Sequence, residues 1–182
     1  MRLSIKPFLS KCILFLILSL FCLPLYAAKT AILLDVKSSI NPAIQDYIER
    51  GIHLAEKENA EIIILRLDTP GGLDESMRGI VKAILSSKVP VATYVAPSGA
   101  RAASAGTFIV YASHIAAMAP GTNLGAASPI AIGGISQEKE SQSKTLSIKS
   151  ANDAAALIRS LAELRGRNAE WGENAVQKAV SF

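Results

Sequence analysis

The stretch Glu61-Ile-Ile-Ile-Leu-Arg-Leu-Asp-Thr-Pro-Gly-Gly72 decides the architecture. Its first seven residues are a short, almost unbroken apolar run, the pattern of a parallel strand buried on both faces. Asp68-Thr-Pro-Gly-Gly72 then reads as a turn, and Leu73–Ser86 as a helix. The same unit repeats on either side. Thr30–Val36 is a compact apolar run, read as the first strand. In Asn41–Asn59, Ala43, Ile44, Tyr47, Ile48, Ile52, Leu54 and Ala55 fall near helical spacing, and Asn41-Pro42 is a good start. Val89–Val95 is a third strand, Ser104–Ser113 a short helix and Ile115–Met118 a fourth strand. This alternation predicts an α/β fold with a mainly parallel sheet of repeated strand-turn-helix units. Gly121–Ile148 breaks the pattern and reads as a long flexible loop of the kind that binds or covers ligands. Ser150–Arg165 is the last clear helix, with Ser150 and Asp153 as a capping start and Gly166 as a stop.

The first 28 residues stand apart. Arg2, Lys6 and Lys11 form a basic start, Cys12–Leu25 an apolar core, and Tyr26-Ala27-Ala28 offers small residues for cleavage. They read as a secretory signal; the core is short for a membrane span. Phe21 is too large to precede a lipid-modified Cys22. Both cysteines lie here, so the mature chain has no thiol for a disulfide or a metal. The three basic residues also lie here with no acidic ones, so the formal charge of +4 falls to +1 without them. That removes the main support for a nucleic-acid partner.

Chemistry centres on Ser104, in Gly99-Ala-Arg-Ala-Ala-Ser-Ala-Gly-Thr107. Small neighbours admit a substrate backbone, and a helix starting here offers free N–H groups to an oxyanion. The Asp68–Gly72 turn and the Ser104 turn follow consecutive strands, at the carboxyl ends where parallel sheets bind ligands. That arrangement lets the Gly72 and Ala105 amides form one oxyanion hole. The serine still needs a base. His53 lies beside the apolar stripe of the first helix and reads as structural. His114 is separated from Ser104 by a helix and is the weaker candidate. Lys139 and Lys144 lie in a polar, solvated part of the loop. Lys149 directly precedes the Ser150 helix, where the helix-end potential and burial would disfavour its ammonium form. On residues alone, an ordinary surface lysine remains the competing reading.

Asp68-Thr-Pro-Gly-Gly-Leu73, Ala102-Ala-Ser-Ala-Gly-Thr107, Met118-Ala-Pro-Gly-Thr-Asn-Leu-Gly-Ala126 and Lys149-Ser-Ala-Asn-Asp-Ala-Ala155, with Ile158-Arg-Ser-Leu-Ala-Glu-Leu-Arg-Gly-Arg-Asn168, form a specific set. With these motifs the chain, over about residues 29–182, resembles the N-terminal protease domain of the membrane-bound NfeD proteins, in the ClpP/crotonase-like group. The resemblance implies a Ser–Lys dyad with Ser104 as nucleophile and Lys149 as base, and Gly72 and Ala105 as oxyanion donors. It implies peptide hydrolysis with no metal, cofactor or ATP, a preference for hydrophobic polypeptide segments, and a stomatin-like membrane protein as partner and substrate. Dimers or larger assemblies are expected, at the periplasmic or other extracytoplasmic face of a membrane. Long NfeD proteins continue into membrane helices and a β-barrel, so on this reading residues 29–182 are a protease domain truncated at its C-terminal end. Two other readings share the sequence features. A crotonase-like acyl-CoA enzyme has the same fold but is at odds with a secretory signal. A non-catalytic domain that binds a membrane partner needs no base at all.

Overall fold

The computed structural model describes residues 29–130 and 140–182, the side chains of 140–144 excepted. The signal reading of residues 1–28 lies outside the described residues, as do Lys139 and the Lys144 side chain. The chain runs β1 (Ala31–Lys37), α1 (Pro42–Lys57), β2 (Ile62–Asp68), α2 (Asp74–Ser86), β3 (Val91–Val95), β4 (Arg101–Ala103), α3 (Ala105–Ala112), β5 (Ile115–Met118), β6 (Asn123–Gly125), α4 (Glu140–Arg165) and α5 (Ala169–Gln177). The strands β1-β2-β3-β5 form one sheet in that order, every pair parallel.

Local chemistry explains the helix starts. The Asn41 side chain accepts from the Ile44 N–H at 3.1 Å, and Pro42 occupies the first helical position, where no N–H is needed. Asp74 and Glu75 sit in the first turn of α2, at the positive end of its dipole. One sheet face is the core: Ile63, Leu65 and Leu67 of β2 are fully buried in one cluster with Ile48 and Ile52 of α1, Ile80 and Ile84 of α2, and all of α3's large apolar side chains. The C-terminal end of α3 is closed by cations, as Arg165 Nε donates to Ala112 O at 2.8 Å and Arg167 Nη1 to Tyr111 O at 2.9 Å.

The expected burial of β2 on both faces does not hold among the described residues. Leu33, Ile64, Ala92 and Ile115 lie in one row across the opposite face, with Leu33 56% and Ile115 51% exposed. The next row carries Asp35, Arg66 and Tyr94, with Arg66 Nε donating to Asp35 Oδ1 at 2.8 Å. An apolar run shows that a face excludes water; it does not show which chain covers it.

Three further differences concern the C-terminal half. The long loop contains β6, which pairs with β4 in a second, parallel sheet. Helix α4 begins at Glu140, so the capping start at Ser150 is absent and residues 145–148 are helical. Helix α5, unread in the sequence, is capped by Asn168, whose side chain accepts from Trp171 N at 2.9 Å. Its Trp171 stacks on Tyr111 with centroids 6.1 Å apart. The chain's last residues pair with β6, Phe182 N donating to Leu124 O at 2.8 Å.

Truncating Leu65 in the core face of β2 tests this packing. Leu65→Ala is expected to destabilise the fold by about 2–5 kcal/mol, read as a lower urea midpoint with unchanged slope.

Candidate active site

Ser104 is the residue before α3, with φ 50° and ψ −115°, a conformation outside the regions that L-residues favour. Such strain costs on the order of 1–3 kcal/mol and persists only where the surroundings hold it. Here they do. The Ser104 N–H donates to Gly125 O at 3.0 Å, and Ser104 O accepts from Thr107 N at 2.9 Å. The buried Thr107 hydroxyl lies 3.0 Å from Ala102 O and 3.2 Å from Gly125 O. The segment after β4 is thereby fastened to β6 on both sides of the serine.

The β2–α2 turn lies directly against this elbow. A β-carbon on Gly71 would sit 2.6 Å from Ser104 Cβ and 3.1 Å from its Oγ, and Gly71 has φ +111°. Only glycine meets both conditions. The buried Thr69 hydroxyl clips this turn, 3.2 Å from both Gly71 N and Gly71 O. Gly72 is confined from the other side: a β-carbon there would lie 2.0 Å from Ile40 O. Ile40 N donates to Gly71 O at 2.8 Å and Ile40 O accepts from Leu73 N at 2.9 Å. In a parallel bridge of this kind the N–H and C=O of Gly72 itself face away from Ile40. Ala105 is the first residue of α3, where the helix supplies no acceptor for the N–H.

Gly72, Ser104 and Ala105 line one cavity of about 540 Å³. Its walls are mainly apolar, from Leu73, Met77, Phe108, Ala127, Ile130 and Ala154, with Asp74 and Ser128 also on the lining. The structure therefore brings together Ser104, Gly72 and Ala105 and adds Gly71 and Thr69, which sequence reasoning did not single out as site residues. Their signal was the doubled glycine after Thr69-Pro70, legible as a turn but not as a contact. A larger groove of about 970 Å³ runs between α1 and α2 past Glu49, Glu56, Lys82 and Lys88; it shares Leu73 and Asp74 with the cavity but not Ser104. Among the described residues no group of His, Cys, Asp and Glu side chains could hold a metal ion.

Lys149 is not brought to the serine. It lies inside α4, more than two turns past Glu140, is exposed, and is not among the residues lining the cavity. The expected position just before a helix start is thus corrected, and with it the argument from helix-end potential. One turn on, Asp153 is bonded to Arg78 of α2, and Arg78 Nε donates to Asp74 Oδ2 at 2.8 Å. Asp74 and Ala154 both line the cavity, so α4 is anchored at its rim.

The histidines are elsewhere. His114 precedes β5 at the amino ends of the strands, the far side of the sheet from the β2–α2 turn. Its Nδ1 accepts from Val91 N at 3.1 Å. Burial, helped by Arg165 and Arg167, holds its pKa below the ordinary value of 6.5. His53 is exposed on α1, 3.9 Å from Glu56.

A mainly parallel α/β sheet, with a strained serine at a helix start beside a doubled glycine, places the molecule in the ClpP/crotonase-like class. More narrowly, the chain belongs to the family of the NfeD1b N-terminal domain, which it matches over residues 30–181. Membrane-bound protease PH1510 of Pyrococcus horikoshii is 42% identical over 159 residues, covering 87% of this chain and 35% of that protein. Membrane protein NfeD1b of Bacillus subtilis is 31% identical over 144 residues, covering 78% of this chain and 32% of that protein. The chain thus spans about a third of the length of these relatives. Among solved structures it is similar to the 1510-N membrane-bound stomatin-specific protease. A serine-to-alanine variant of that protein superposes with a TM-score of 0.74 at 40% identity, over 86% of this chain and 73% of that one. A lysine-to-alanine variant in complex with a substrate peptide gives 0.75 at 42% identity, over 86% and 69%.

Two measurements follow. Gly71→Ala is expected to leave the fold assembled but displace the Ser104 side chain, abolishing labelling of Ser104 by a fluorophosphonate probe while circular dichroism stays unchanged. The unfolded chain binds a proton at His114 more readily than the folded one, so this group's contribution is complete above the ordinary imidazole pKa. It is lost as pH falls below that value. The urea midpoint should accordingly drop with pH through that range, and His114→Asn should flatten the dependence.

Proposed function

We propose that the chain is a serine peptidase domain that cleaves apolar, extended segments of a stomatin-like membrane protein. The observation that carries this reading is Ser104, held in a strained elbow at the head of α3 and opening on an apolar cavity. The names of its relatives support it: one is a membrane-bound protease, and the solved 1510-N protein is stomatin-specific and was captured with a substrate peptide. That the solved variants remove a serine and a lysine supports a Ser–Lys pair.

In the proposed reaction Ser104 Oγ attacks the peptide carbonyl carbon as its proton passes to neutral Lys149 Nζ. The Gly72 and Ala105 N–H groups hold the oxyanion. The C–N bond breaks as Lys149 returns the proton to the leaving amine, leaving an acyl-serine. Water then attacks that ester, losing its proton to Lys149, which passes it to Ser104 Oγ as the acyl C–O bond breaks and the second product leaves. The scheme uses no metal or cofactor. It requires the exposed Lys149 side chain to reach the cavity when substrate fills it. Ala127, Ser128, Pro129 and Ile130, from the segment read as a clamp, already form one wall.

The proposal extends to residues 1–28 as an export signal, residues 29–182 as part of a longer protease domain, and a site of action on the extracytoplasmic side of a membrane. Among the described residues no helix is long and apolar enough to cross a membrane. The open sheet face, with Leu33 and Ile115, suits a dimer contact or further chain. The exposed position of Lys149 favours one rival, a binding domain that does not catalyse.

The test is turnover of a fluorogenic apolar peptide by the full chain, with fluorophosphonate labelling in parallel. Ser104→Ala and Lys149→Ala are each expected to lower turnover by roughly a thousandfold. Wild-type turnover in Lys149→Ala sinks the dyad, and an unlabelled, folded wild-type chain supports the binding domain.

A further inference from the structure

We infer that Arg78 is a positioning residue for the proposed Ser104–Lys149 pair: it holds the Asp153 carboxylate, which would otherwise pair with Lys149, and ties α4 to the cavity wall. The inference rests on the dyad reading above.

Lys149 and Asp153 stand four apart on α4, the spacing at which helical side chains meet. A carboxylate one turn from a lysine favours its ammonium form and so disables a general base. Asp153 is not free to do this. Its Oδ2 is hydrogen-bonded by Arg78 Nη2, across to α2. The same guanidinium donates through Nε to Asp74 Oδ2 at 2.8 Å. One planar fork therefore occupies two carboxylates, a geometry that arginine offers and lysine does not.

The mechanical consequence follows from where the two aspartates sit. Asp74 is in the first turn of α2 and lines the cavity beside Gly72 and Leu73. Asp153 precedes Ala154, which lines the same cavity from α4. The bridge thus fixes the stretch of α4 next to Lys149 against the wall that carries the oxyanion glycine.

The electrostatic consequence has one sign throughout. Among the described residues, the charged groups on the seam between α2 and α4 include Arg78, Asp74 and Lys82 from α2 and Asp153 from α4. Farther along α4, Arg159 is bonded to Glu173 of α5, and Arg165 is bonded to Ala112 O. Removing Arg78 frees the Asp153 carboxylate, one turn along α4 from Lys149. A freed carboxylate at that spacing favours the lysine ammonium, so the base is regained only at higher pH.

The experiment is the pH profile of kcat/KM for the full chain on a fluorogenic apolar peptide. Arg78→Gln is expected to move the acid limb up by about 0.3 pH unit, with about twofold less activity on the acid side and recovery at high pH. Arg78→Gln combined with Asp153→Asn is expected to return the limb toward wild type, because the carboxylate one turn from Lys149 is gone and only Asp74, on α2, is freed. Arg78→Lys, which keeps the charge but not the fork, should hold the limb near wild type while lowering kcat through looser placement. A wild-type limb in Arg78→Gln, or a double variant no better than the single one, overturns the inference. If Arg78→Gln does not fold, the same comparison is made between Arg78→Lys and Arg78→Lys with Asp153→Asn. Equal kcat in wild type and Arg78→Lys then overturns it. Lys149→Ala separates the two readings. Wild-type turnover there removes the dyad, whereas an inactive Lys149→Ala beside an unshifted Arg78→Gln removes only the role of Arg78.

Discussion

The contact between Gly71 and Ser104 is the constraint on which the site depends. Two backbone segments, one leaving β2 and one leaving β4, approach until a single added methyl would strike the serine side chain. Sheet pairing sets that approach, since Thr69 bridges Ala102 just before the two turns diverge. The Thr69 hydroxyl then holds Gly71 by its own N–H and C=O. The strain at Ser104 is sustained because Gly125 O accepts from Ser104 N while the Thr107 hydroxyl ties Ala102 O and Gly125 O together.

The small β4–β6 sheet therefore does more than extend the fold. It fastens the serine from the side opposite the glycine turn, and it is itself closed by the last residues of the chain. Gly125 lies so close to Val180 that a β-carbon would be 2.4 Å from its carbonyl oxygen. A site on β2 and α3 is in this way coupled to residues far along the sequence. The anchoring of α4 by Arg78 belongs to the same pattern, joining the cavity wall to a helix that no sheet hydrogen bond reaches.

Much of the fold was legible because its signals are local. The apolar run of β2, the Asn41-Pro42 start and the Gly166 stop each depend on a few neighbouring residues, and the four strands of the main sheet lie within a residue or two of their expected spans. The β4 and β6 strands were not legible: three residues each carry no period, and their pairing partners are distant in sequence. Helix α4 was misjudged at its start because Ser150 and Asp153 mimic a cap, while Asp153 is engaged with Arg78 instead.

The site divides along the same line. Residue types and spacing put Ser104 at a helix start, brought Gly72 and Ala105 to its side and set both histidines aside, since each depends on chain order along strand, turn and helix. Only the tertiary structure decided that Gly71 packs against the serine, that Lys149 lies exposed inside α4 and off the cavity lining, and that one face of the sheet stays open among the described residues. Those outcomes depend on which distant segments share a surface, and a hydrophobic pattern or a cap motif encodes how a segment is built, not what it meets.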